Sequence, residues 1–301
     1  MRSLVAAAVL MSATLSFAQS AAEPFIPFQR LGGAYRLVNA MAFSPDGKTM
    51  YFALLHREVL AARGQSAAAD APEIALYEAA WDGAQWSEPK LLPFSGRWKD
   101  YEPAVSPDGS MMTFQSWRPR TPSEPPGNKD NFLWMVRRTS AGWSEPVALS
   151  AINGEKGTSY STLTADGRIF FLRGDPQASG GENYNLYEAR WNGTTFADAK
   201  PVPSASGPEG EGDPWVSPDG QYLIFTRFGA DWNKTCDLYI TFHNAGKWTA
   251  AVPLEGLNTP GPDYSPAVSP DGEWLYYRAG GRYVRRALAP VLADARKAAG
   301  L

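Results

Sequence analysis

The residues best able to do chemistry in this chain are acids that recur just before short apolar runs: Asp100-Tyr101-Glu102-Pro103, Glu209-Gly210-Glu211-Gly212-Asp213-Pro214 and Asp263-Tyr264-Ser265-Pro266. Arginines recur later in each repeat, at Arg118, Arg120, Arg173, Arg227 and Arg278, with His56-Arg57 in the corresponding place near the N-terminus. Carboxylates converging on one pocket could act as acid and base about 5–9.5 Å apart around a glycosidic bond. The same carboxylates paired with the arginines would instead tie the fold together, because a charge taken out of water needs a partner. Trp98, Tyr101, Trp117, Tyr160, Trp232 and Tyr264 accompany them and suit a flat or cationic ligand such as a sugar ring or a peptide. Other chemistries are poorly served. His56 and His243 are the only histidines and Cys236 the only cysteine, so a thiol or serine nucleophile lacks an activating base and no intramolecular disulfide can form. There is no Gly-x-Ser-x-Gly elbow, no His-Glu-x-x-His, no His/Cys metal spacing, no calcium loop and no phosphate loop, so neither a cofactor nor a metal is expected.

These acids can meet only if distant segments are brought together, and the repeat that does this is Ser-Pro-Asp-Gly. It stands at Ser44, Ser106, Ser217 and Ser269, with a degenerate copy, Thr164-Ala165-Asp166-Gly167, between them. Proline presets φ at the second turn position, Asp tolerates the third, and Gly takes the left-handed conformation that returns the chain as a hairpin. The copies lie 62, 58, 53 and 52 residues apart, the mark of a repeat architecture. Between them runs a second pattern, an Asn185-Leu186-Tyr187-type strand leading through a turn into Trp86-Ser87-Glu88-Pro89 or Trp143-Ser144-Glu145-Pro146. Each repeat thus holds four antiparallel strands in two hairpins, and five such repeats predict an all-β, five-bladed β-propeller. The fifth repeat lacks a fourth strand; Pro24 to Leu31 is the candidate to close it, followed at the far end by a short helix over Ala289 to Ala299.

By strand parity the Ser-Pro-Asp-Gly turns fall on one end of the propeller, which is expected to be inert. The opposite end carries the long connections, Leu55 to Pro72 (Leu60 to Pro72 being Ala-rich and expected to be mobile), Trp117 to Asp130, Gly174 to Asn183 and Phe228 to Thr235, together with the start of each innermost strand. Variable loops on a scaffold are where binding residues concentrate. The candidate site is therefore the channel mouth on that face: Asp100, Tyr101, Glu102, Arg118, Tyr160, Arg173, Glu211, Asp213, Arg227, Asp263, Tyr264 and Arg278. A ring of structural ion pairs and a ligand site are both compatible with these residues.

Ser-Pro-Asp-Gly, an aromatic strand, an Asp-Leu-Tyr-type strand and Trp-Ser-Glu-Pro together resemble the WD-like propeller repeat of the periplasmic TolB protein and its exported relatives. The resemblance covers the mature chain and implies an exported propeller lacking TolB's N-terminal α/β domain. It does not imply TolB's partners. Sialidase Asp boxes read Ser-x-Asp-x-Gly-x-Thr-Trp, whereas Ser106-Pro107-Asp108-Gly109 has no residue between Asp and Gly, so that likeness is a shared turn.

Composition narrows the partners. Lys and Arg number 28 against 31 Asp and Glu, a net charge of -3, which argues for neither nucleic acid nor an anionic membrane. Met1-Arg2, the apolar run Leu4 to Leu10 and Ser16-Phe17-Ala18 read as a signal peptide over residues 1–18, leaving 19–301 as one propeller domain, periplasmic or secreted. No later stretch reaches the ~20 apolar residues of a membrane helix, and a monomer is expected. Two functions stay open: a non-catalytic binding or scaffolding module for a protein, peptide or carbohydrate ligand, or an exported glycoside hydrolase using Glu102, Glu211, Asp213 and Asp263.

Overall fold

The computed structural model describes residues 22–25, 35, 37–121, 123–124, 131–155, 157–174, 184–206, 210–228 and 235–301. Five antiparallel sheets follow one another along the chain as the blades of a five-bladed β-propeller. Their innermost strands are Leu37–Phe43, Asp100–Val105, Thr158–Leu163, Glu211–Val216 and Asp263–Val268. The second strands are Thr49–Leu55, Met111–Ser116, Arg168–Gly174, Tyr222–Phe228 and Trp274–Ala279. Every turn joining these pairs carries its glycine at positive φ, from 67° at Gly47 to 79° at Gly167. The serine has a role that turn propensity does not reveal: Ser44 Oγ donates to Asp46 Oδ1 (2.6 Å) and accepts from the Thr49 N–H (2.9 Å), stitching the turn shut.

The core lies between blades, as the period-2 alternation of a strand requires. On the second strand of blade 3, Phe170 packs toward blade 4 with Phe225, while Phe171 packs toward blade 2 with Leu133 and Met135. Blade 1 behaves the same way, with Tyr51 against blade 2 and Phe52 against blade 5. Five apolar clusters result, one at each junction.

The fifth blade is closed from the other end of the chain. Glu23–Pro24 pairs with the third strand of blade 5, Arg282–Ala287, placing Glu23 opposite Arg285, and the Phe25 N–H donates to the Tyr283 carbonyl (2.9 Å). The Ile26 to Leu31 part of the expected closing strand lies outside the described residues. Phe25 packs against Tyr276 with ring centroids 4.6 Å apart and planes tilted by 55°. Phe25→Ala is expected to cost about 2 kcal/mol, below the range of a fully buried Phe→Ala because the ring is half-exposed. A thermal melt checks this, and an unchanged midpoint would show that the closure is ornamental. At the C-terminus, helix Leu288–Ala298 seats Leu288, Val291 and Ala295 on the junction of blades 4 and 5. The long connection from Leu55 to Pro72 opens as a helix, His56–Ala62, which takes in only the first three residues of the Leu60 to Pro72 part expected to be mobile and is anchored by Val59 in the core and by His56, whose Nδ1 lies 2.6 Å from the Tyr77 hydroxyl. No helix among the described residues is long and apolar enough to cross a membrane.

Candidate functional site

Each innermost strand carries a β-bulge, and each bulge holds one non-glycine residue in the left-handed region: Asn39 (φ 51°), Glu102 (54°), Tyr160 (44°), Asp213 (45°) and Ser265 (54°). A residue held there costs about 1–3 kcal/mol and persists only where the surroundings demand it. The bulge turns what would be an alternating strand residue toward the channel. One register step pair earlier sits a second row, Leu37, Asp100, Thr158, Glu211 and Asp263.

The two rows treat their acids differently. In the outer row, Asp100 is fully buried and accepts from Arg118 Nη2 (2.8 Å), Ser116 Oγ (2.6 Å) and Ser95 Oγ (2.8 Å). Glu211, also fully buried, pairs with Arg227 Nε at 3.3 Å. Asp263 accepts from the Thr259 N–H and pairs with no arginine among the described residues. Arg173 occupies the place of Arg227, but Thr158 stands opposite it where blade 4 has Glu211. Its guanidinium therefore stacks on Tyr187, 3.9 Å from the ring centroid.

In the bulge row, Glu102 and Asp213 line one cavity of about 20 Å³ together with Tyr160 and Ser161. Glu102 Oε2 accepts from the Ala40 N–H of blade 1 (3.1 Å), and Asp213 Oδ2 from the Ser265 N–H of blade 5 (3.3 Å) and the Thr226 hydroxyl (3.1 Å). Neither forms an ion pair among the described residues, and Glu102 Oε1 and Asp213 Oδ1 are buried without a hydrogen-bond partner. Burial, and then repulsion from Asp213, push the Glu102 carboxyl well above its ordinary range; burial pushes Asp213 up to about 6. Arg278 softens both shifts from a distance, its Nη1 and Nη2 donating to the Leu37 and Gly281 carbonyls (3.2 and 3.0 Å). Tyr160 and Tyr264 border the same field: burial, and for Tyr160 then the Asp213 charge, raise both phenols.

Tyr101 lies between blades 1 and 2, its hydroxyl donating to Asn131 Oδ1 (2.7 Å), the atom that also accepts from Trp117 Nε1 (2.7 Å). Lys99 Nζ sits over Trp117 at 4.2 Å and over Tyr101 at 5.2 Å, so Lys99 and Trp117 form a half-buried aromatic and cationic patch on the loop face, while Trp98 lies under the Arg97 guanidinium. Glu209 and Trp232 lie outside the described residues. His56 and Arg57 leave the channel: Arg57 donates to the Ala69 and Ala71 carbonyls. Cys236 is buried, its thiol pushed up to about 12 by burial, consistent with a structural side chain. The turn end is not featureless either. A cleft of about 530 Å³ opens there between blades 2 and 3, lined by Asp108, Arg137, Ala165 and Trp191 among others, with the Arg137 guanidinium 4.6 Å from the Trp191 ring centroid.

The fold and channel define a five-bladed propeller with a polar bulge ring. No protein-family model matches the chain, and no curated protein matches it. Among solved structures it is similar to a protein of unknown function from Dyadobacter fermentans, with a TM-score of 0.52 and 16% identity over 90% of this chain and 82% of that one. It is also similar to a putative TolB from Agrobacterium tumefaciens (TM-score 0.51, 14% identity, 79% of this chain and 68% of that one). For TolB from Acinetobacter baumannii the TM-score is 0.50 with 15% identity over 84% of this chain, which spans 54% of that protein. At these identities the likeness concerns the fold, a TolB-like β-propeller.

Proposed function

We propose that the chain is an exported, non-catalytic binding propeller that holds a peptide, glycan or protein partner on its loop face. The size of the channel cavity carries this reading. Glu102 and Asp213 are the bulge-row carboxylates free of arginine, and about 20 Å³ between them has room for one water molecule, far below the ~300 Å³ at which ligand pockets begin. Of the outer-row acids, Asp100 is committed to Arg118 and Glu211 to Arg227, while Asp263 accepts from the Thr259 N–H and pairs with no arginine among the described residues. The Lys99 and Trp117 patch supports surface recognition, and export rests on the Met1 to Ala18 segment.

One observation favours the second reading, an exported glycoside hydrolase. The raised Glu102 carboxyl is what a general acid requires, and its Asp213 neighbour could act as the second carboxylate. A chromogenic glycoside panel together with glycan-array and pull-down assays separates the two. Retention of a ligand without turnover, unchanged by Glu102→Gln, is the expected result. Hydrolysis that Glu102→Gln abolishes would overturn the binding reading.

A further inference from the structure

Glu102 and Asp213 are 2% and 6% exposed, yet each is only half satisfied. One oxygen of each caps a backbone N–H of a neighbouring blade; the other, Glu102 Oε1 or Asp213 Oδ1, has no partner among the described residues, and both residues line the same small cavity. Asp100 is satisfied by three donors, whereas Asp263 also keeps a buried oxygen, Oδ1, without a partner among the described residues; what sets Glu102 and Asp213 apart is that both line one cavity. Two adjacent, desolvated carboxyls that form no ion pair among the described residues, with Arg278 acting only from a distance, are costly to ionise. Both are moreover presented by strained left-handed residues, at φ 54° and 45°.

We infer that this cavity is a cation site in which Glu102 and Asp213 hold a single hard divalent ion, with Ca²⁺ the species that fits. The volume of about 20 Å³ suits one ion and excludes a larger ligand. Two carboxylates match a charge of two. Arg278 forms no ion pair with either carboxylate among the described residues: its Nη1 and Nη2 donate to backbone carbonyls, and its buried Nε has no hydrogen-bond partner. No group of three or more His, Cys, Asp or Glu side chains that could hold a metal ion exists among the described residues, so the site offers two carboxylates and no nitrogen or sulfur ligand, a donor set that suits a hard ion and not Zn²⁺. A hard cation completes its shell with hydroxyl, backbone and water oxygens, and Ser161 adjoins the cavity. The site goes beyond the binding role above, and its test reads ion binding without reference to any partner or substrate.

The experiment is isothermal titration of Ca²⁺ into the chelator-treated full chain, with Mg²⁺ and Na⁺ at matched ionic strength as comparators. One saturable site is expected, with a Kd of about 10⁻⁴–10⁻³ M as in extracellular calcium modules. Glu102→Gln and Asp213→Asn should each weaken it by about tenfold or more. Absence of Ca²⁺ binding, equal responses to all three ions, or variants that bind like the wild type would overturn the site. Should a variant fail to fold, the wild type alone decides. Its melting midpoint should rise with Ca²⁺ near neutral pH and not below about pH 4, where both carboxyls are protonated; a rise of equal size at both would overturn the assignment.

Discussion

Arg118→Met is expected to lower the stability of the folded chain by about 3–5 kcal/mol, the largest effect of any single charged residue in the channel. The reason is the carboxylate left behind. Asp100 is fully buried, and of its three donors Arg118 alone carries charge. Methionine preserves much of the packing over Phe114 and Trp134, where the guanidinium lies 5.1 and 5.2 Å from the ring centroids, so the loss reports the stranded charge more than a cavity. The double variant Asp100→Asn with Arg118→Met should recover a good part of it, because an amide costs far less to bury than an unpaired carboxylate. Arg227→Met should cost less, since Arg227 is 21% exposed and its contact to Glu211, at 3.3 Å, is longer than the 2.8 Å contact of Arg118 to Asp100. Urea denaturation of the four proteins measures all of this. A loss below about 1 kcal/mol for Arg118→Met would mean that Asp100 is hydrated, contrary to its burial.

Much of this molecule was legible because repeats expose architecture. The Ser-Pro-Asp-Gly copies counted the blades, and the missing fourth strand of the last repeat pointed to the N-terminal segment that pairs with Arg282–Ala287. Parity also assigned Glu102, Tyr160 and Asp213 to the channel. What propensity could not reveal is the backbone at those positions. Nothing about Glu102-Pro103 or Asp213-Pro214 signals a left-handed residue, since a following proline ordinarily favours extended backbone; only the recurrence of x-Pro in three of five strands hinted at a shared bulge. Pairing was likewise hidden. Arg173 and Arg227 look equivalent in sequence, and the difference lies across the hairpin, where Thr158 replaces an acid. The helix His56–Ala62 was missed because its alanine-rich continuation reads as a linker, although His56 and Val59, three residues apart, place their side chains on one buried face. The cleft at the turn end escaped because a volume between two blades depends on side chains from both, Arg137 and Trp191 here.

The bulge-row acids make stability depend on pH in a direction opposite to that of ordinary paired carboxylates. Asp213 is shifted from 3.8 to about 6, chiefly by burial, and Glu102 moves the same way. A carboxyl whose folded value lies above its unfolded one binds its proton more tightly in the folded state. Its contribution is therefore complete below about pH 4 and lost as pH rises through about 6. For Asp213 and Glu102 together, whose charges act on each other, this amounts to a few kcal/mol. In chelator, the wild type should lose stability across that window, whereas Asp213→Asn should flatten the slope and be the more stable protein by roughly a kcal/mol or more at about pH 8. The amide keeps an oxygen to accept from the Ser265 N–H, so the blade tie survives the substitution. Saturating Ca²⁺ should erase the difference by supplying the wild type with the counter-charge that the variant no longer needs. Denaturant midpoints across pH, with and without the ion, measure the three effects together. An Asp213→Asn protein less stable than wild type at every pH would mean that the carboxylate is compensated in the apo chain and that burial does not govern its titration.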